Sequence, residues 1–259
     1  MTAPNPAKQR KVPRHRVAEA VAAQLRARIL AGESDHHLPT QRELMEEFGV
    51  SHPSLREAIR ILETEGLVTV RRGCVGGAHV HRPDETSAAY HVGLGLQSAR
   101  VTLGDLASGL QLLEPICAGE CARRSDRAET VIPALTASLD KAVEAVGDGV
   151  AFTKAISEFH RLLVAFTPNA TTRYVVSSLV ALWSSQQQAW AEELTRRGEY
   201  PSPARALVGV EAHRWLIEEI AAGNAATAEQ AVRAYLAASQ GVLLEKFDDG
   251  VIDVSSTRT

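Results

Sequence analysis

Apolar residues along this chain follow two rhythms. As far as about residue 82 they come in short runs, helical and then alternating; from Pro83 onward they recur every three or four positions. Within the first part, Leu55, Ile59 and Leu62 mark one buried helical face. Thr40, with Glu43 three residues on, makes a capping box just after Pro39, which predicts a helix over 41–48 that stops at Gly49. Ser51 caps a second helix, Pro53 in its first turn loses no internal hydrogen bond, and Gly66 ends it. Residues 67–71 then alternate apolar and polar. Gly73, Gly76 and Gly77 allow the chain to reverse, and 78–82 pair back to complete a hairpin.

The second part carries no strand alternation. Its spacing predicts helices over 85–99, 103–124, 130–146, 150–166, 171–196, 202–222 and 225–247. The breaks fall at Gly147 to Gly149, at Pro168 and Asn169, around Gly198 to Pro203, and at Gly223 and Asn224. The fold class that follows is mainly α: a winged helix-turn-helix with one short β-hairpin, then an all-α antiparallel bundle. The expected divisions are a disordered basic arm (1–13), the winged unit (14–82), a linker and linker helix (83–102), the bundle (103–247) and a disordered tail (248–259).

The polar face of the second short helix suggests chemistry. His52, Arg56 and Arg60 lie about 100° round from the apolar stripe, while two arginines and a glycine sit at the tip of the hairpin. Arginine's planar fork matches guanine O6 and N7, so Arg56 is the first candidate for reading a base, against the alternative of a surface ion pair with Glu57 or Glu63. His52 either donates to a base or phosphate, and then senses pH, or faces solvent. Arg60 is read as a phosphate contact or a solvated charge. The net charge of −3 conceals an asymmetry that fits double-stranded DNA as partner. Residues 1–82 hold 13 Lys and Arg against 9 Asp and Glu, leaving 15 against 22 for the rest. The arm, with Lys8, Arg10, Lys11, Arg14 and Arg16, adds salt-dependent affinity without sequence preference.

Other classes are disfavoured. No run is long and apolar enough to cross a membrane and no signal-peptide core is present, so a cytoplasmic protein is expected. Cys74, Cys117 and Cys121 form neither a disulfide framework nor a zinc motif. Cys117 and Cys121 read as buried small hydrophobes, and Cys74 at the hairpin tip as an exposed thiol. There is no nucleophile motif, phosphate loop or suitably spaced acidic pair, so no enzyme is expected and no cofactor.

From about Val17 to Val80, through LP-x-x-REL, FGVS, LREA-I-x-x-LE-x-EGL and RRG, the sequence resembles the winged helix-turn-helix regulators of the GntR superfamily. That resemblance implies that Arg42 contacts phosphate or base, that Ser51, His52 and Ser54 lie at the groove floor, that Arg56 reads a guanine, and that Arg72 and Gly73 make the wing contact. Position 52 is commonly arginine in the family.

The bundle resembles, more loosely, the helical ligand-binding domain of the FadR-like branch. LLEP at 112–115, EFH at 158–160, Asn169, His213 and the Gly223-Asn224 turn carry the likeness. Many members hold a divalent metal through an Asp and a His four apart and two later His residues, and grip a carboxylate ligand with an arginine. The corresponding positions here are Ile156, His160, His213 and Tyr235, with Leu110 in place of the arginine, so no metal is expected.

Helical spacing also puts His160 beside the stripe Phe152, Ile156, Phe159 and Leu163, and puts His213 on a face with Val210, Ile217 and Ile220. Each histidine is either satisfied in the core by a carbonyl or by Tyr235, or joins Asn169 and Tyr235 as the polar end of a greasy cavity. Trp183, Trp190 and Trp215 are candidate lining. The expected effector is a hydrophobic metabolite such as a fatty acyl compound, with a metal-dependent organic-acid sensor, and after it a constitutive DNA-binding protein without effector, as the alternatives. The expected whole is a homodimer on a palindromic operator, a repressor released by its effector.

Overall fold

A computed structural model of the chain describes residues 14–34, 36–70, 77–82, 85–247 and 250–254, which fall into two compact units divided after Pro83. In the first, α1 (Arg14–Ala31), α2 (Gln41–Phe48) and α3 (His52–Thr64) precede an antiparallel pair, β1 (Val68–Val70) and β2 (Ala78–Val80). The capping box forms: the Thr40 N–H donates to Glu43 Oε2 at 2.8 Å and the Glu43 N–H to Thr40 Oγ1 at 3.3 Å. Gly49 takes the left-handed conformation (φ 61°) that the tight turn requires. Ser51 has the extended backbone of a cap, but its hydroxyl pairs with that of Ser54 at 3.1 Å instead of closing the helix end.

Helix α1 is absent from the sequence-based layout, although Ala18, Val21, Ala22, Leu25 and Ile29 repeat at helical spacing and pack on Leu55, Ala58 and Leu62 of α3. The hairpin register pairs Val68 with Val80 and Val70 with Ala78. The segment before α2 also joins this sheet, since the Leu38 N–H donates to the Ala78 carbonyl and the Val80 N–H to the His36 carbonyl, each at 2.9 Å.

The second unit is a bundle of α4 (Glu85–Ser98), α5 (Leu103–Arg123), α6 (Arg127–Glu144), α7 (Gly149–Ala165), α8 (Ala170–Arg197), α9 (Pro203–Ala222) and α10 (Ala225–Phe247). Helix α5 is the central post, burying Leu103, Leu106, Leu110, Glu114, Cys117 and Cys121 among its neighbours. Pro115 inside it has no N–H and frees the Gln111 carbonyl, which Arg233 of α10 takes up with Nη1 at 3.0 Å. Gly119 lets α10 close in: a Cβ there would lie 2.1 Å from Glu229 Oε1.

The disordered tail expected from residue 248 does not hold for 250–254. Alternation of Val251, Ile252, Asp253 and Val254 makes a short extended segment bridged to Thr102, with Ile252 and Val254 buried in the α4–α5–α8 core. Among the described residues no helix is long and apolar enough to cross a membrane.

Candidate DNA-reading surface and effector cavity

The outer face of α3 meets α2 and β1 in a concave surface lined by Gln41, His52, Arg56, Ile59, Arg60, Glu63 and Val70. Packing of Leu55 and Leu62 inward turns His52 and Arg56 outward, and both are exposed. Both carboxylates that might have neutralised Arg56 are engaged elsewhere. Glu57 pairs with Arg60 at 3.1 Å, and Glu63 accepts the Val70 N–H at 3.0 Å. Arg42 is exposed in the first turn of α2. Ser54 departs from its expected place at the groove floor: it is buried with its hydroxyl against that of Ser51, which itself stays exposed. Arg72, Gly73 and Cys74 lie outside the described residues. Gln41 joins this surface without having been singled out from sequence, where only its place beside a cap was visible.

In the bundle, a cavity of about 20 Å³ lies between α5, α7, α8 and α10, room for about one water. Leu110, Glu114, Ile156, His160, Trp183 and Tyr235 line it, joined by Ser157, Ser184, Gln187 and Ser239. Its wall is therefore mixed, not greasy. Four of the six expected effector residues, Leu110, Ile156, His160 and Tyr235, meet here. His213 stands one hydrogen bond behind the wall, its Nε2 3.2 Å from His160 Nε2. Asn169 is elsewhere: exposed, it caps α8 by accepting the Thr172 N–H at 2.9 Å. Of the three tryptophans only Trp183 lines the cavity; Trp190 packs edge-on against it, and Trp215 is exposed.

Glu114 is the residue that sequence reasoning passed over. It is 1% exposed and its Oε1 contacts His160 Nδ1. The chain of bonds fixes most of the protons. His213 Nδ1 lies 2.7 Å from the Gly209 carbonyl, which can only accept, so this nitrogen carries hydrogen. Burial, reinforced by His160, pushes the His213 pKa down to about 3, so its ring is neutral and its Nε2 accepts from His160 Nε2. The other His160 nitrogen, Nδ1, faces Glu114 Oε1. The Tyr235 ring stacks on His160 with centroids 5.4 Å apart, and burial raises the pKa of its phenol.

Residues 17–78 match the family described as bacterial regulatory proteins, gntR family, and residues 105–238 match the FCD domain. The chain belongs to the GntR family. This GntR-family chain is 29% identical over 171 residues to the HTH-type transcriptional repressor NanR of Klebsiella aerogenes, a match spanning 64% of each chain. It is 29% identical over 203 residues to the Uxu operon regulator of Haemophilus influenzae, covering 77% of this chain and 70% of that one. A solved GntR structure from Streptococcus agalactiae superimposes with a TM-score of 0.64 at 23% identity, over 87% of this chain and 99% of its own, and shares the fold. GntR-family proteins of this kind are DNA-binding transcription regulators, not enzymes.

The residues of this GntR chain do not fit the metal that many bundles of its type hold. Ile156 offers only hydrocarbon, and both His160 nitrogens are committed, one to Glu114 and one to His213. Among the described residues no three His, Cys, Asp or Glu side chains are grouped to hold an ion. The two buried thiols are equally inert, with burial pushing Cys117 up to about 11 and Cys121 up to about 12.

Proposed function

We propose that this GntR-family regulator is a cytoplasmic homodimeric repressor that reads a palindromic operator with His52 and Arg56 and leaves it when an uncharged effector enters the bundle. Support for the reader comes from Arg56: exposed, on the recognition face, with Glu57 and Glu63, the partners expected from sequence, bonded to other groups. Arg42, Ser51 and the wing residues Arg72 and Gly73 complete the proposed footprint. Support for dimerisation is an outward stripe on α5, where Leu112 and Ile116, one turn apart, are 64% and 43% exposed.

The observation that carries the effector reading is the composition of the cavity wall. No arginine or lysine lines it, and Glu114, the acidic residue in its wall, is already engaged by His160. Burying a carboxylate there without a cation costs several kcal/mol, of the order of the penalty for an unpaired buried ion. A molecule with an apolar body against Leu110, Ile156, Val180 and Trp183, and one or two hydroxyl or amide groups toward Ser184, Gln187 and Ser239, suits it better. A void of about 20 Å³ does not take a long acyl chain unless the helices part.

The test uses full-length protein and a palindromic duplex selected from a random pool. Thermal shift and operator competition are run with uncharged amides, lactones and alcohols beside fatty acids and dicarboxylates. The expected outcome is stabilisation and operator release by a member of the uncharged set. Release by a dicarboxylate only in the presence of added zinc would overturn the proposal in favour of a metal-dependent acid sensor. No change in operator affinity with any compound would favour a constitutive DNA-binding protein.

A further inference from the structure

The segment after α10 is tied on both sides. Toward the start of the bundle, the Leu103 N–H donates to the Gly250 carbonyl at 2.9 Å and the Ile252 N–H to the Val101 carbonyl at 3.1 Å. The Val254 N–H reaches Gln97 Oε1 on α4 at 3.4 Å. Val254 also occupies the space that a side chain at Gly93 would need, since a Cβ built there would lie 2.5 Å from its Cγ1. Helix α8 adjoins the same segment and also packs directly on α4, with Leu182 beside Gly93. Gln186 Nε2 donates to the Asp253 carbonyl at 2.7 Å, and Leu182 belongs to the same buried cluster as Ile252 and Val254.

Helix α8 is also a wall of the effector cavity. Trp183, Ser184 and Gln187 line the cavity, interleaved in sequence with the strap-facing Leu182 and Gln186. One rigid helix thus presents one flank to the effector site and an adjoining flank to the terminal segment. Anything larger than one water must displace part of the wall, because close-packed interiors do not deform continuously.

We propose that residues 250–254 form a strap that reinforces the direct packing of α8 on α4, so that displacement of α8 is passed on to α4, the helix that follows the DNA-reading unit in the chain. The effector's arrival loosens or shifts the strap, and α4 changes its hold on the bundle. This rests on the regulator reading above and adds the route of the signal. The strap hydrogen-bonds to both Gln97 of α4 and Gln186 of α8.

A double-mutant cycle tests the route without a known effector. Ser184→Leu fills the cavity and stands in for an occupant; Val254→Asp releases the strap. In full-length protein, Ser184→Leu should change affinity for the selected palindromic duplex by about fivefold or more. In the Val254→Asp background the same change should fall to within about twofold, which is the coupling the strap carries. Amide hydrogen exchange in residues 85–98 should quicken by about tenfold in Val254→Asp while α7 and α9 keep their protection.

An equal effect of Ser184→Leu in both backgrounds would overturn the strap and leave the effector reading standing. Unchanged exchange in α4 on release would also overturn it. No effect of Ser184→Leu on operator affinity in the parent would sink the effector reading and the strap with it. Should Val254→Asp fail to fold, Gln97→Ala takes its place: it removes the acceptor of the Val254 N–H and keeps every strap residue, with the same outcomes.

Discussion

Arg56 and His213 show how differently two polar helix residues behave, one turned to solvent and the other into a core. Arg56 is solvated and available, so Arg56→Ala should weaken specific operator binding by about 1–3 kcal/mol and leave binding to random duplex nearly intact. Fluorescence anisotropy on both duplexes checks this, and equal losses would contradict a base-reading role. His213 is buried and neutral, its pKa held near about 3 against an ordinary value of 6.5. The unfolded chain binds this proton more readily than the folded one, so stability contributed by the neutral ring is complete above the ordinary value and falls as pH drops toward the folded value. The slope should approach about 1.4 kcal/mol per pH unit within that window. His213→Gln should remove this component, measured as the difference between the two urea-denaturation pH profiles. Ser54 and Glu114 mark what single residues hide in a sequence: a hydroxyl one step round a helix turns inward, and a carboxylate read as a landmark in LLEP proves to be the acid that holds His160.

At the level of elements, the short helices were legible because their ends obey local rules. The Thr40–Glu43 box, the left-handed Gly49 and the close of α3 at Gly66 all depend on residues within four positions of one another. Thr40→Ala should accordingly cost about 1 kcal/mol of reader stability, read as a lower melting temperature with α3 intact. Tertiary partnerships were less legible. Helix α1 announces itself by small residues, Ala18 and Ala22, whose burial depends on α3 lying against them. Asn169 carried a true signal that was given the wrong meaning, since the same amide that suits a polar cavity also caps a helix. The alternation at 251–254 was visible in principle, yet nothing local says that Val101, Gln97 and Gln186 wait to receive it.

For the molecule as a whole, the charge asymmetry between the reader and the bundle predicts salt-sensitive DNA binding. Deleting residues 1–12 should flatten the dependence of log affinity on log salt while leaving sequence preference unchanged, as determined from titrations at several ionic strengths. The donor set around His160 predicts that chelator treatment leaves melting temperature and operator affinity unaltered. Mass-spectrometric metal analysis should find well under one ion per chain, and a stoichiometric ion would overturn the assignment of Ile156 and Tyr235 as non-ligating positions.

The tryptophan placement has a practical consequence. Trp183 forms part of the cavity wall and touches Trp190 edge-on with centroids 5.5 Å apart, while the third indole, Trp215, stands out in solvent. In a Trp215→Phe protein all remaining indole emission would originate beside the cavity proposed above for the effector. Libraries of metabolites could then be screened optically, by quenching or spectral shift, before any promoter sequence is known.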